Sequence, residues 1–193
     1  NKYINIASKI DTISNQVVFE LYSLYLKDLN FLFDGKVKID YFNEKIDYYG
    51  NFYYENLQSN INVEMTKKIA KFYLVSEPFK SLKFLKNFLH LPNIAESWMY
   101  DNVKGDIKIE ELYAEYDLIN NHIIENSIQG KAQIKDAKIR FHKDVDAVNT
   151  KSLDIFFKDN RLHFNLMEPM FKDKKLDGSF VLINNLTSEK NGQ

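Results

Sequence analysis

The chain has 193 residues, 45% of them apolar, 15% aromatic and none cysteine, enough for one sizeable domain with a core or for two small ones. With 26 basic and 27 acidic residues the net charge is -1. No overall field therefore draws the chain to nucleic acid or an anionic membrane, and the missing thiols exclude disulfides, thiolate metal sites and cysteine nucleophiles.

Only 6 glycines and 3 prolines argue for a folded chain. No uncharged apolar run approaches the roughly 18 residues that span a bilayer. The start at Asn1, without a basic or signal-like leader, points to a processed chain or an excised piece of a larger protein.

Taken in order, Tyr3, Ile4 and Ile6 open a possible strand, and residues 17–33 carry apolar groups at both spacings. Val18, Leu21, Tyr22 and Tyr25 would make a helical face, while Val17, Phe19 and Leu21 fit a strand. The β-branched and aromatic content favours strand. From Lys36 the alternation is cleaner. Val37, Ile39 and Tyr41 alternate with charged residues, and residues 36–54 read as a hairpin with a bulge or bend at Gly50. Strands at 61–66 and 69–76 complete an antiparallel meander.

Residues 77–91 then place Phe79, Leu82, Leu85, Phe88 and Leu89 at helical spacing between Pro78 and Pro92, which predicts an amphipathic helix over 79–90. Its lysine face is compatible with a membrane surface, but packing on a sheet or plugging its end is the plainer reading. Asn93 would cap a shorter helix to about Tyr100. Strands resume over 103–118, 122–130, 131–141, 153–157, 162–166 and 179–186. The apolar phase slips by one residue at Glu111 and again near Asp136, as a β-bulge would produce.

Residues from Trp98 onward resemble the AsmA-like family of large bacterial envelope proteins, in particular its YhdP-type members. The resemblance rests on Trp98 before the turn into Gly105, residues 130–141, a loop with Val148, the strands at 153–157 and 159–166 with Asn160 and Leu162 at a recurring turn, and the closing strand at 179–186. It covers roughly residues 95–187. It implies a mainly β fold: a curled antiparallel sheet forming an open, gutter-like groove, here with one or two short helices around residues 78–100. Residues 1–193 would be a single β-rich domain with N-terminal strands over 1–76, a helical insert over 77–101 and AsmA-like strands over 102–187.

What the resemblance implies for function is a non-enzymatic segment that conducts or holds phospholipid acyl chains between inner and outer membrane. The setting would be the periplasm. An inner-membrane anchor and the membrane contacts would lie outside this chain, with envelope proteins as possible partners. The apolar rows expected to touch lipid are Ile107, Ile109 and Leu112; Ile134, Ile139 and Phe141; Leu153, Ile155 and Phe157; and Leu162, Phe164 and Leu166. The alternative is a structural or adaptor β-sandwich that binds a protein partner through an edge strand or the 79–90 helix.

Other chemistry finds little support. His90, His122, His142 and His163 fall on different elements without metal-site spacing, so no metal or cofactor is expected. Asp144 and Asp146 read as solvated turn residues, and Glu110, Glu111 and Glu115 as strand residues rather than paired catalytic acids. The aromatic cluster at Tyr48, Tyr49, Phe52, Tyr53 and Tyr54 reads as hairpin packing or a groove wall, not a nucleic-acid platform.

Overall fold

The computed structural model describes residues 4–13, 16–28, 30–83, 97–140, 144–159, 161–176, 178 and 180–184. The chain is mainly β, as expected. Its antiparallel sheet is open rather than closed into a barrel, with hydrogen-bonded order β1-β2-β3-β4-β5-β6-β7-β9-β10-β11-β14. The strands are β1 (Ile4–Ile13), β2 (Gln16–Leu26), β3 (Phe31–Asp40), β4 (Lys45–Tyr54), β5 (Leu57–Met65), β6 (Ile69–Ser76), β7 (Val103–Asp117), β8 (His122–Ile123), β9 (Gln129–Ile139), β10 (Val148–Lys158), β11 (Arg161–Met167), β12 (Met170–Phe171), β13 (Lys174–Lys175) and β14 (Phe180–Asn184). Backbone contacts group the chain into two compact units, one of Asn1–Glu77 with Glu111–Ile128, the other of Pro78–Glu110 with Gln129–Gln193.

The first unit is a hairpin meander from β1 to β6, joined by the end of β7 and by β8. Its alternation is kept in register from strand to strand, with one interruption in β2. Leu21 pairs with Gly35 and Leu24 with Phe33, while Ser8 pairs with Leu21 and Ala7 with Ser23, so Tyr22 is one residue more than either neighbouring strand supplies. This bulge moves the apolar phase from Val17, Phe19 and Leu21 to Leu24 and Leu26. Leu21 and the extra residue Tyr22 both belong to the set Val18, Leu21, Tyr22 and Tyr25 that has helical spacing.

No bulge occurs at Gly50. The register of β3 on β4 is unbroken, and Gly50 pairs with Gly35. A Cβ on Gly50 would overlap the Asp34 carbonyl oxygen and lie 2.7 Å from the Tyr48 hydroxyl, and one on Gly35, whose φ is 144°, would overlap the Tyr49 carbonyl oxygen. The two strands cross closely there, and the Tyr48 side chain covers the gap. Its hydroxyl lies 2.8 Å from the Asp34 carbonyl oxygen and 2.9 Å from that of Asn51, donating to one or the other. Behind it, the Asn60 amide donates to the Asn51 side-chain oxygen (2.6 Å), and the Asn51 amide to the Asp34 carboxylate (2.7 Å).

Two turns of this unit share one construction. The Asp40 carboxylate accepts from the Asn43 backbone N–H at 3.0 Å and its side-chain amide at 3.1 Å. Asp117 does the same for Asn120, at 3.0 and 2.9 Å, and also accepts from the Ile119 N–H. These bonds to the ionised form hold both carboxyls below the usual aspartate range. A left-handed residue follows each, Glu44 with φ 51° and Asn121 with φ 56°. The strand expected over 122–130 is interrupted by a helical turn at Glu125–Ser127. There the Ser127 hydroxyl donates to the Ile124 carbonyl (2.6 Å) and accepts from the Glu115 N–H (2.8 Å).

The second unit holds the first part of β7 with β9, β10, β11 and β14, and a small β12–β13 hairpin that the sequence pattern does not announce. β9 runs antiparallel to β7: the Arg140 N–H donates to the Asn102 carbonyl at 2.8 Å, while Lys131 pairs with Glu110 at 2.7 Å. Val148 belongs to no loop. It opens β10, is buried, and pairs with Ile139.

Against β10 the slip at Asp136 is not a bulge, nor is that at Glu111 against β6. β9 and β10 keep one register on both sides of Asp136, from Ile134 on Leu153 to Ile139 on Val148, so both strands change phase together at Asp136, whose φ is 50°. Likewise Leu74 pairs with Leu112 and Phe79 with Ile107, an equal separation along both stretches, so β7 carries no extra residue at Glu111. Of the predicted helix, residues 84–90 lie outside the described residues. Before them Phe79 is extended, exchanging two 2.8 Å backbone bonds with Ile107. Beyond them, Ser97–Asn102 forms a short, wide helical turn.

Gly50→Val should cost roughly 2 kcal/mol or more, because the strands must part to admit the side chain; urea unfolding measures it. A fall below about 0.5 kcal/mol would contradict the close crossing. Burial, with the Asp34 carboxylate adding to it, raises the Tyr48 phenol to about 12 from its ordinary 10.0. The folded state thus holds this proton more tightly than the unfolded chain. The stabilisation is complete below pH 10 and disappears as pH rises through about 12. In Tyr48→Phe, roughly 1 kcal/mol of stability should go with the hydroxyl, and spectrophotometric titration should lose a late-ionising tyrosine.

Candidate functional site

Strand register in the second unit brings most of the predicted apolar residues onto one face. Ile134, Leu153 and Leu166 form one cross-strand row, Ala132, Ile155, Phe164 and Val181 the next, and Phe157, Leu162 and Ile183 a third. These rows carry no charge. Their exposure is uneven. Ile107, Ile134, Ile139, Leu153 and Phe164 are at most 3% exposed, as core residues are, whereas Ile109, Ile155, Phe157, Leu162 and Leu166 are half-buried. Ile139 lies past the phase change at Asp136 and joins Val148, Ala137 and Thr150 rather than the three rows. Phe141 and Asn160 lie outside the described residues. Leu112 belongs to the first unit, where it pairs with Leu74.

The larger apolar face is in the first unit, in strands to which, Leu112 of β7 apart, the sequence reading assigns no lipid contact. One row runs Phe19, Val37, Tyr48, Val63, Phe72 and Ala114 across β2 to β7. The row beside it runs Val17, Ile39, Ile46, Met65, Ala70 and Tyr116 by the same pairings. Each member of the first row is half-buried rather than buried, and among the described residues no helix lies along it. Between the two rows, pointing the other way, stand Val18, Lys38, Asp47, Glu64, Lys71 and Glu115. The signal for this face was present in the alternation itself. It becomes a continuous surface only once every hairpin register is known.

Aromatic rings thicken the apolar side. Phe31, Phe33, Phe52 and Tyr54 meet edge-on or tilted at centroid distances of 5.0 to 6.2 Å, and Phe33 also meets Tyr48. The expected aromatic cluster is therefore divided by the pleat: Tyr48, Phe52 and Tyr54 go to this face, and Tyr49 and Tyr53 to the polar one.

The polar side is organised by ion pairs. Lys45 lies 3.0 Å from Asp47 and 2.9 Å from Glu64, whose hydrogen bonds raise the lysine and lower the Glu64 carboxyl. A hydrogen bond from Tyr113 to Glu115 pushes that phenol up to about 12. Glu110 is held by Lys131, which also lies 5.5 Å from the centre of the Phe156 ring. Glu64 and Glu110 are thus engaged across strands, and Asp47 and Glu115 within their own strands β4 and β7. Opposite them, the apolar rows offer methyl, methylene and aromatic surface, which can solvate a hydrocarbon chain.

A family model described as YhdP protein matches residues 89–192, more than half of the chain and all of the stretch on which the AsmA-like resemblance rests. No curated protein and no solved structure gives a significant match. With that match added to the open β-sheet fold, the chain belongs to the YhdP protein family, of the AsmA-like group.

Proposed function

We propose that this chain is a non-enzymatic lipid-transfer segment of a bacterial envelope protein, holding phospholipid acyl chains on the apolar side of its sheet. The observation that carries the reading is the half-buried row from Phe19 to Ala114, apolar in six consecutive strands and backed by a charged row. A sheet face of this kind needs a cover. An acyl chain of about 16 carbons gains on the order of 13 kcal/mol by leaving water, at about 0.8 kcal/mol per methylene. Movement along such a face needs continuity and no reacting group, because a buried unpaired charge would stop it. Family membership supports placing this activity in the periplasm, between inner and outer membrane, with the membrane anchor in other parts of the full-length protein.

In the second unit the acyl-contacting residues would be the half-buried ones, Ile109, Ile155, Phe157, Leu162 and Leu166. Leu112 would serve in the first unit. Ile107, Ile134, Ile139, Leu153 and Phe164 are buried deeply enough to act as ordinary core there. That burial favours a second reading, a structural or adaptor domain with a dry core that binds an envelope protein partner.

Native mass spectrometry of the chain purified from an envelope fraction separates the two readings, since a dry sandwich carries no lipid. Ile155→Asp and Val63→Asp should remain folded and each lose most of the co-purifying phospholipid. Leu153→Ala should instead cost roughly 2–5 kcal/mol of stability and spare lipid binding in whatever remains folded. A lipid-free wild-type chain, or unfolding of both aspartate variants, would overturn the acyl-holding reading.

A further inference from the structure

The two turns built alike in the first unit, Asp40-Tyr41-Phe42-Asn43 and Asp117-Leu118-Ile119-Asn120, each display apolar residues between the capping Asp and the Asn. Tyr41 is 63% exposed, Phe42 81% and Ile119 63%. Capping uses the Asp and Asn side chains, so the turn conformation does not require apolar residues between them. Strand direction puts both turns at the same end of the unit's sheet, with Thr66, Lys67 and Lys68 between them, since Ile69 pairs with Asp117 and Met65 with Ile46. The tips are tied together: Lys67 pairs with Glu44, and the Leu118 N–H donates to the Lys68 carbonyl at 2.8 Å. At the opposite end the Glu55–Asn56 turn is charged and polar; of residues 27–30, which include Leu29 in sequence, the described ones are Lys27, Asp28 and Asn30.

We propose that this end of the first unit is a ledge that inserts into the interfacial layer of a lipid bilayer, with Tyr41, Phe42 and Ile119 as its anchors. Aromatic and aliphatic side chains on rigid turns suit the headgroup boundary, where an apolar body can sink while the phenol hydroxyl stays wet. A protein partner fits the ledge less well. Three such side chains, about 19 Å apart at the extremes given the spacing of strands, offer roughly 500 Å², below the roughly 800 Å² that one side of a stable protein interface buries. The turns carry no excess positive charge, because Glu44 pairs with Lys67 and Asp40 and Asp117 offset Lys68. Attachment therefore depends on apolar insertion, without a requirement for anionic lipid. The inference stands apart from the acyl-holding reading, since these residues lie at the turns and not in the rows.

The test is co-flotation of the purified chain with neutral phosphatidylcholine vesicles. The wild-type chain should bind with little change between low and high salt. The triple variant Tyr41→Ser, Phe42→Ser, Ile119→Ser should bind roughly tenfold or more weakly, with its unfolding midpoint and co-purified lipid unchanged. Because the chain has no cysteine, an environment-sensitive dye on Phe42→Cys should shift to the blue with vesicles, while the same dye on Asn56→Cys, at the far end, should not. Absence of wild-type flotation, flotation abolished by salt, equal binding of the triple variant, or equal dye shifts at both ends would each overturn the ledge. Loss of co-purified lipid in Val63→Asp with flotation intact would leave the ledge standing while testing the acyl face separately.

Discussion

The structure depends on one constraint: in an antiparallel sheet, register fixes which face every side chain joins, and an error of one residue turns a whole strand over. Here that parity is held across six strands, so Phe19 to Ala114 fall on one side and Val18 to Glu115 on the other. The charged side repays its exposure to water with cross-strand pairs such as Lys45 with Glu64. Pairs of this kind contribute little stability each, but they disfavour slipped registers in which like charges would meet.

Parity is maintained by local devices that differ in kind. At Tyr22 a single extra residue in β2 resets the phase against both neighbours. At Asp136 nothing is inserted against β10. Both strands change phase together around a left-handed residue, which keeps Ile139 and Val148 paired and buried. Where β3 and β4 cross closely, Gly35 and Gly50 omit the side chains that would collide, and Tyr48 restores apolar cover while its hydroxyl serves a backbone carbonyl. A phase change in sequence therefore has at least two structural causes, and only pairing distinguishes them.

The two units use the same alternation to different ends. In the second, Leu153 and Ile134 are almost completely buried, and burial of that extent is worth about 1.5–3 kcal/mol for each aliphatic side chain. In the first, an equally apolar row remains half in contact with solvent, leaving a comparable gain for a ligand to supply. The proposed acyl-holding role would use that surface of methyl groups and rings without charge.

By itself, the sequence determined the fold class, the meander and the membership of most strands in it, because period-two alternation and polar turns are local properties. It also marked Ile134, Leu153, Ile155 and Phe164 as one apolar set. What it could not decide was which of those residues are core and which stay half-exposed, since Ile155 and Leu153 look alike in a strand and differ only in what packs above them. Nor could it distinguish the Tyr22 bulge from helical spacing, or recognise that turns 77 residues apart, at Asp40 and Asp117, share a design and an end of the sheet. Those features belong to the tertiary structure, because burial and adjacency arise from pairing between strands that are distant in the chain.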